Sequence, residues 1–233
     1  MWANNETGAI QPVARITERA AAQNTPVHID AVQVAGKLPI NFHELGATTL
    51  AASAHKFGGP RGIGLLLARR TPAPLPLAFG GGQERGIRPG TVDVASASAL
   101  AAALRESVAD MEQEETRLTA LRDKLKAGIE SSIDNVIINS AEPTLASHLH
   151  VSFPGTDGDS LIMLLDAAGI EASAGSACHA GVNRMSHVLE AMGIDEEHGR
   201  GSLRFSLGRM TTDEDIDVVI KELPEIIRRA RSV

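Results

Sequence analysis

Tyrosine is missing from this 233-residue chain, tryptophan occurs once, and aromatic residues together make up only 3% of it. Proteins that hold single-stranded nucleic acid stack the bases on aromatic side chains, so this composition does not suit that role. Positive charge is also scarce: 22 lysines and arginines face 29 aspartates and glutamates, the net charge is −7, and no basic stripe runs along the chain. Binding to a phosphate backbone is therefore not expected. No apolar run reaches the roughly 20 residues that a helix needs to span a bilayer. The opening MWANNETG is polar and shows no secretory signal, so the expected location is cytoplasmic. A single cysteine, Cys178, excludes an internal disulfide and fits a reducing compartment, with its thiol either inert or reactive.

What is present is a chain rich in alanine and glycine, long enough for one large domain or two modest ones. Met1 to Gly8 reads as the end of a buried strand and the loop after it, so the sequence is expected to start inside a domain. PVARITERAAAQ, from Pro12 to Gln23, has helical spacing, with Val13, Ile16 and Ala20 on one face. Val27 to Ile29 reads as a strand ending in Asp30, and TTLAAS (Thr48 to Ser53) and IGLLLA (Ile63 to Ala68) read as two more. This rhythm predicts an α/β fold with a mostly parallel sheet and flanking helices. Ligands of such sheets sit at the carboxyl ends of strands, where Asp30 and Lys56 both fall.

From Val92 the chain turns helical, without Gly or Pro until Gly128, which predicts one long, kinked helix joining two domains. The boundary is placed near Asp110, giving domains 1–110 and 111–233. The second is expected to be a smaller α+β domain, with strands at Asn135–Asn139, Leu149–Phe153, near Ile170 and at Leu203–Ser206, and helices at Ser160–Ala168 and Ser186–Met192. Thr211 and Glu214 are spaced as a capping box for the last helix.

Four stretches carry residues suited to chemistry. In Ser53-Ala54-His55-Lys56-Phe57-Gly58-Gly59-Pro60 a lysine sits at a strand–turn–strand mouth among small residues. Burial there would favour a neutral, nucleophilic amine able to form a Schiff base; the ordinary alternative is a turn lysine in a cap or salt bridge. GGGQERGIRPGT, from Gly80 to Thr91, offers glycines for close backbone approach and Arg88 and Thr91 as anion partners, although a flexible connector has a similar composition. Cys178 lies among turn-forming residues beside His179, so it is either an accessible nucleophile or a small buried residue. A metal site from Cys178, His179 and His187 lacks any paired-cysteine spacing, and none is assigned. Arg204, on a strand that should be buried, needs a carboxylate, either from a substrate or from an internal salt bridge. The other histidines are expected to be structural or at the surface.

NNETGAIQPV, HIDAVQVAGK, SAHKFGGPRGIG, GGGQERGIRPGT, SAGSACHAG and LRFSLGR, in this order, resemble the cysteine desulfurases of the NifS and IscS type. These belong to the class V aminotransferase group of fold-type I pyridoxal-phosphate enzymes. The resemblance covers essentially the whole chain and implies the C-terminal part of a large cofactor-binding domain followed by a small domain carrying the cysteine. It implies Lys56 as the lysine that carries pyridoxal 5'-phosphate, Asp30 on the pyridinium nitrogen, Gln33 on the phenolic oxygen, and Ser53 and His55 on the phosphate. Asn5 would lie against cofactor and substrate, Thr91 would reach the phosphate bound by a second subunit of a homodimer, and Arg204 would clamp the carboxylate of L-cysteine. Cys178 would take the sulfur as a persulfide, release alanine, and pass the sulfur to an acceptor or scaffold protein for iron–sulfur cluster assembly. A transient iron–sulfur ligand is a further role for the same thiol.

The family's N-terminal portion, with its phosphate-cradling turn and ring-stacking histidine, has no counterpart in this sequence, which is therefore expected to be truncated. Two other readings are a selenocysteine lyase or other class V enzyme, and a catalytically silent fragment that dimerises or holds an acceptor protein.

Overall fold

The computed structural model describes residues 1–174 and 185–232. Cys178 and His179 lie outside these. The chain divides into two compact units, one made of Met1–Ala3 with Gln11–Met111, the other of Asn4–Ile10 with Glu112–Val233. The division falls one residue from Asp110, but a short N-terminal segment belongs to the second unit.

In the first unit, helix α1 (Val13–Ala21) leads to strand β1 (His28–Asp30). The buried face of α1 is Val13 and Thr17 rather than Val13 and Ile16; Ile16 is 47% exposed. After the short helix α2 (Phe42–Leu45), strand β2 (Thr49–Ser53) pairs parallel with β1, with Asp30 opposite Ala51. Strand β3 (Gly64–Ala68) returns antiparallel on the far side of β2. The sheet is therefore mixed, because the connection from Ser53 to Gly64, which includes one turn of 3₁₀ helix, is too short for the crossover that a parallel partner needs. Trp2 N–H donates to the Asp30 carbonyl at 2.8 Å along the other side of β1.

Helix α3 (Val94–Ala109) starts at Asp93, whose carboxylate accepts from the Ser96 N–H at 3.0 Å. The next helix, α4 (Met111–Ser132), follows after Asp110, so the expected long helix is two helices.

The second unit holds a four-stranded antiparallel sheet in the order β4 (Ile137–Ile138), β5 (His148–Ser152), β7 (Ser202–Ser206), β6 (Ser173–Ala174). Alternation sorts its two faces. Leu149, Val151, Leu203 and Phe205 point into the core, where they meet Leu118, Leu121, Leu125 and Ile129 of α4. Helix α5 (Gly158–Ala167) adds Leu161 and Leu165, and helix α8 (Asp213–Ala230) adds Ile216, Leu223 and Ile227. The short helices α6 (His187–Ala191) and α7 (Glu196–Gly199) come before β7. The capping box of α8 is Thr212 with Asp215, not Thr211 with Glu214. The sequence TTDED allows both registers, and Thr211 is used instead to close the preceding turn, accepting from the Gly208 N–H at 3.0 Å.

Leu223 is fully buried against both helices and sheet. Leu223→Ala should cost about 2–5 kcal/mol through lost burial and the cavity left behind. Urea unfolding followed by circular dichroism reads this cost; a change below about 1 kcal/mol would show that the core is not packed as described.

Candidate active site

In the first unit the candidate residues converge on the carboxyl ends of two adjacent parallel strands. β1 ends in Asp30, a half-buried carboxylate whose Oδ1 accepts from the Val32 N–H at 2.9 Å. The turn after it packs Ala31 and Val34 inward, with Gln33 buried alongside. β2 ends in Ser53, whose hydroxyl lies 2.8 Å from His55 Nδ1. Ala54 to Phe57 then form one turn of 3₁₀ helix. Side chains three apart eclipse in such a turn, so Ala54 and Phe57 face inward while His55 and Lys56 face out.

Lys56 is therefore exposed, not buried as its small neighbours suggested. Its backbone is nevertheless held. Gly58 takes φ +83°, a left-handed conformation that side chains rarely adopt. Gly59 donates its N–H to the Ala54 carbonyl at 2.8 Å, and a Cβ there would stand 2.9 Å from the Ala54 methyl. From α3, Ser107 Oγ donates to the Phe57 carbonyl at 3.0 Å and holds the turn on the sheet.

Thr91 is placed elsewhere in the unit. It is exposed and, with Arg85 and Arg88, lines a cavity of about 600 Å³ beside β3. The loop before it exposes Leu75, Leu77 and Phe79 almost completely.

In the second unit the structure brings together Asn5 and Arg204. Arg204 lies on β7 opposite His150 of β5, on the face away from the apolar core. Its guanidinium donates from Nε to Ser206 Oγ at 3.0 Å, from Nη1 to the Asn5 carbonyl at 2.9 Å, and from Nη2 to Ser173 Oγ at 3.3 Å. These three acceptors are uncharged oxygens; among the described residues the internal carboxylate considered from the sequence is not found bonded to Arg204. Arginine carries five N–H donors, so these bonds leave donors for a carboxylate. Arg204, Ser173 and Ser206 also line a cavity of about 410 Å³.

Sequence reasoning missed the polar layer beneath. His150 is fully buried, and its Nδ1 lies 3.0 Å from Asn139 Nδ2, which also donates to Ser152 Oγ at 2.8 Å. Burial, and then the neighbouring positive charge of Arg204, push the His150 imidazole down to about 4. The missed signal is the alternation HLHVS, which sets His148, His150 and Ser152 on one face of a central strand. Among the described residues no group of histidine, cysteine and carboxylate side chains could hold a metal ion, and no helix is long and apolar enough to cross a membrane.

A family model described as aminotransferase class-V matches residues 1–219. The chain is 48% identical to an IscS-like cysteine desulfurase of Mycobacterium tuberculosis over 99% of its own length and 59% of that protein's. It is 40% identical to the cysteine desulfurase NifS of Azotobacter vinelandii over its full length and 58% of the relative. Among solved structures, a NifS-like protein from Rickettsia africae superposes with a TM-score of 0.89 at 30% identity, covering 97% of this chain and 60% of that one. The chain thus spans less than two thirds of the length of these relatives.

The buried histidine gives a pH test. Its pKa in the fold lies below the ordinary value of 6.5, so the unfolded chain binds more protons between pH 6.5 and 4. Stability should be unaffected by His150 above that window and fall by roughly 3 kcal/mol across it. In His150→Gln, unfolding free energies measured from pH 7 to pH 4 should lose that part of the slope. An unchanged slope would mean that His150 titrates normally.

Proposed function

This chain belongs to the class-V aminotransferase family, and we propose that it acts as part of a pyridoxal-phosphate-dependent cysteine desulfurase. The reaction converts L-cysteine to L-alanine and leaves the sulfur on Cys178. The observation that supports the reading is the donor set on β1 and β2. A carboxylate, a buried amide, a hydroxyl–imidazole pair and a primary amine all sit at or just beyond the carboxyl ends of two paired strands.

That set fits the cofactor's chemistry. Asp30 would hold a proton on the ring nitrogen, Gln33 would donate to the phenolic oxygen, Ser53 and His55 would bind the phosphate, and Lys56 Nζ would tether the group. Bound in this way, pyridoxal phosphate supplies an electron sink for negative charge at the substrate Cα. The exposure of Lys56 suits a side chain that must reach a ligand, and the glycine turn fixes where its stem begins.

Arg204, whose Nη1 already bonds the Asn5 carbonyl, would bind the substrate carboxylate with the donors its neighbours leave over, and the Asn5 side chain would contact substrate and cofactor. The Cys178 thiolate would attack the substrate sulfur. The sulfur–carbon bond breaks, the sulfur–sulfur bond forms, and the departing carbon takes a proton to become the methyl group of alanine. The persulfide then serves an acceptor or scaffold protein for iron–sulfur assembly. A homodimer accounts for Thr91 on an exposed loop, where it would meet the phosphate bound by the second copy. The bare Leu75, Leu77 and Phe79 of that loop support burial against a partner.

The purified chain mixed with pyridoxal phosphate should develop a visible absorption band, and borohydride should then fix the label on Lys56. Lys56→Ala should lose both. Cys178→Ser should keep the band while alanine release from L-cysteine drops by at least about a hundredfold, because the covalent acceptor is gone. A band that survives Lys56→Ala, or full turnover in Cys178→Ser, would overturn this reading.

A further inference from the structure

The second unit contains a buried carboxylate that the proposed chemistry does not use. Glu6 is 1% exposed and accepts a hydrogen bond at 2.5 Å from the hydroxyl of Ser186, which is itself buried. A carboxylate removed from water costs several kcal/mol unless its partners compensate. A neutral side chain would hold a mere turn together at lower cost, so the position of Glu6 calls for a physical account.

Its neighbours supply one. The Asn5 carbonyl that accepts from Arg204 and the N–H of Glu6 belong to the same rigid peptide plane. That N–H donates to Asn4 Oδ1 at 2.8 Å. On the far side of Glu6, the Thr7 carbonyl accepts from Ser140 Oγ at 2.6 Å and from Thr144 Oγ1 at 3.2 Å. Gly8, at φ +77°, fits closely: a Cβ there would come within 2.6 Å of Thr144 Oγ1 and 2.7 Å of His148 Cβ. The turn is thus anchored on both sides of one peptide plane, and that plane aims an oxygen at the guanidinium. Ser186 is anchored in turn, because its hydroxyl also accepts from the Val188 N–H at 3.1 Å and caps α6.

We propose that Glu6 and Ser186 are a positioning pair, which holds the Asn5–Glu6 peptide so that its carbonyl orients the Arg204 guanidinium toward a substrate carboxylate. The proposal rests on the desulfurase reading for the identity of that carboxylate, and on the geometry alone for the orientation. Neither residue touches substrate. Their effect reaches the ligand through the carbonyl and the arginine.

The test uses the full chain with ¹⁵N-labelled arginine and follows the side-chain N–H signals of Arg204 by nuclear magnetic resonance. Glu6→Ala and Ser186→Ala should each speed the solvent exchange of these protons at least fivefold and weaken binding of L-alanine, titrated as the probe, at least fivefold. Glu6→Gln keeps an acceptor for Ser186 and should restore most of both. Exchange in Glu6→Ala that matches the wild type would overturn the proposal, as would failure of Glu6→Gln to rescue. If Glu6→Ala does not fold, Ser186→Ala makes the same comparison. A wild-type Arg204 signal that ignores L-alanine would count against the desulfurase reading, while the exchange rates would still decide whether the pair positions the arginine.

Discussion

A guanidinium on an inner strand has to be satisfied, and in the second unit much else is arranged around that need. Arg204 lies on β7, between β5 and β6, where its side chain is partly buried. Ser206 lies two residues along its own strand, and Ser173 sits opposite on β6, so two acceptors come from the sheet. The third, the Asn5 carbonyl, comes from 199 residues away in sequence. This contact lies within the second unit, to which residues Asn4–Ile10 belong although the chain on both sides of them belongs to the first. The connection is reinforced by backbone pairing: the Leu145 N–H donates to the Gly8 carbonyl at 3.0 Å, and the Ile10 N–H to the Pro143 carbonyl at 2.8 Å.

The two faces of that sheet carry different kinds of energy. One is an ordinary apolar core, non-directional and roughly proportional to the area buried. The other is a polar layer, in which each side chain is fixed by the hydrogen bonds it makes. His150, directly opposite Arg204, is held toward its neutral form first by its burial and then by the positive charge of Arg204. A neutral imidazole leaves the arginine as the charge that an incoming anion would meet on this face. In the proposed function, selectivity for a carboxylate would therefore depend on what is kept uncharged as much as on what is charged.

The sequence made local features legible and hid remote ones. Asp30 and Lys56 could be placed at or just beyond strand ends because Val27–Ile29 and Thr48–Ser53 read as short strands followed by turn residues. Helix α8 was legible from its apolar spacing, but its cap was read one residue early, since two adjacent threonines offer the same motif. The break at Asp110 had no glycine or proline to mark it. The Glu6–Ser186 contact joins residues 180 apart, and no local pattern signals such a pair. Lys56 was misread for a physical reason of its own. Small neighbours imply a crowded backbone, but crowding of the backbone does not mean burial of the side chain.

That distinction bears on how a reactive lysine can be built. The inside of the Ala54–Phe57 turn is filled by a methyl group and a phenyl ring, and the outside carries the imidazole and the amine. Gly59 closes against Ala54 so tightly that a single added carbon would force the turn to shift. The backbone of Lys56 is thus held by contacts on its inner side, while its side chain is exposed on the outer side. In the proposed tethering role, a lysine that bonds a ligand, releases it and returns would need both properties. Rigid attachment sets the arc the amine can sweep, and an open outer face leaves that arc unobstructed. Packing the lysine stem into the core would lower the amine's affinity for protons at the cost of that reach. A bound ligand can instead supply the apolar surroundings when it arrives, so the fold provides the fixed pivot and leaves the environment of the amine to be completed on binding.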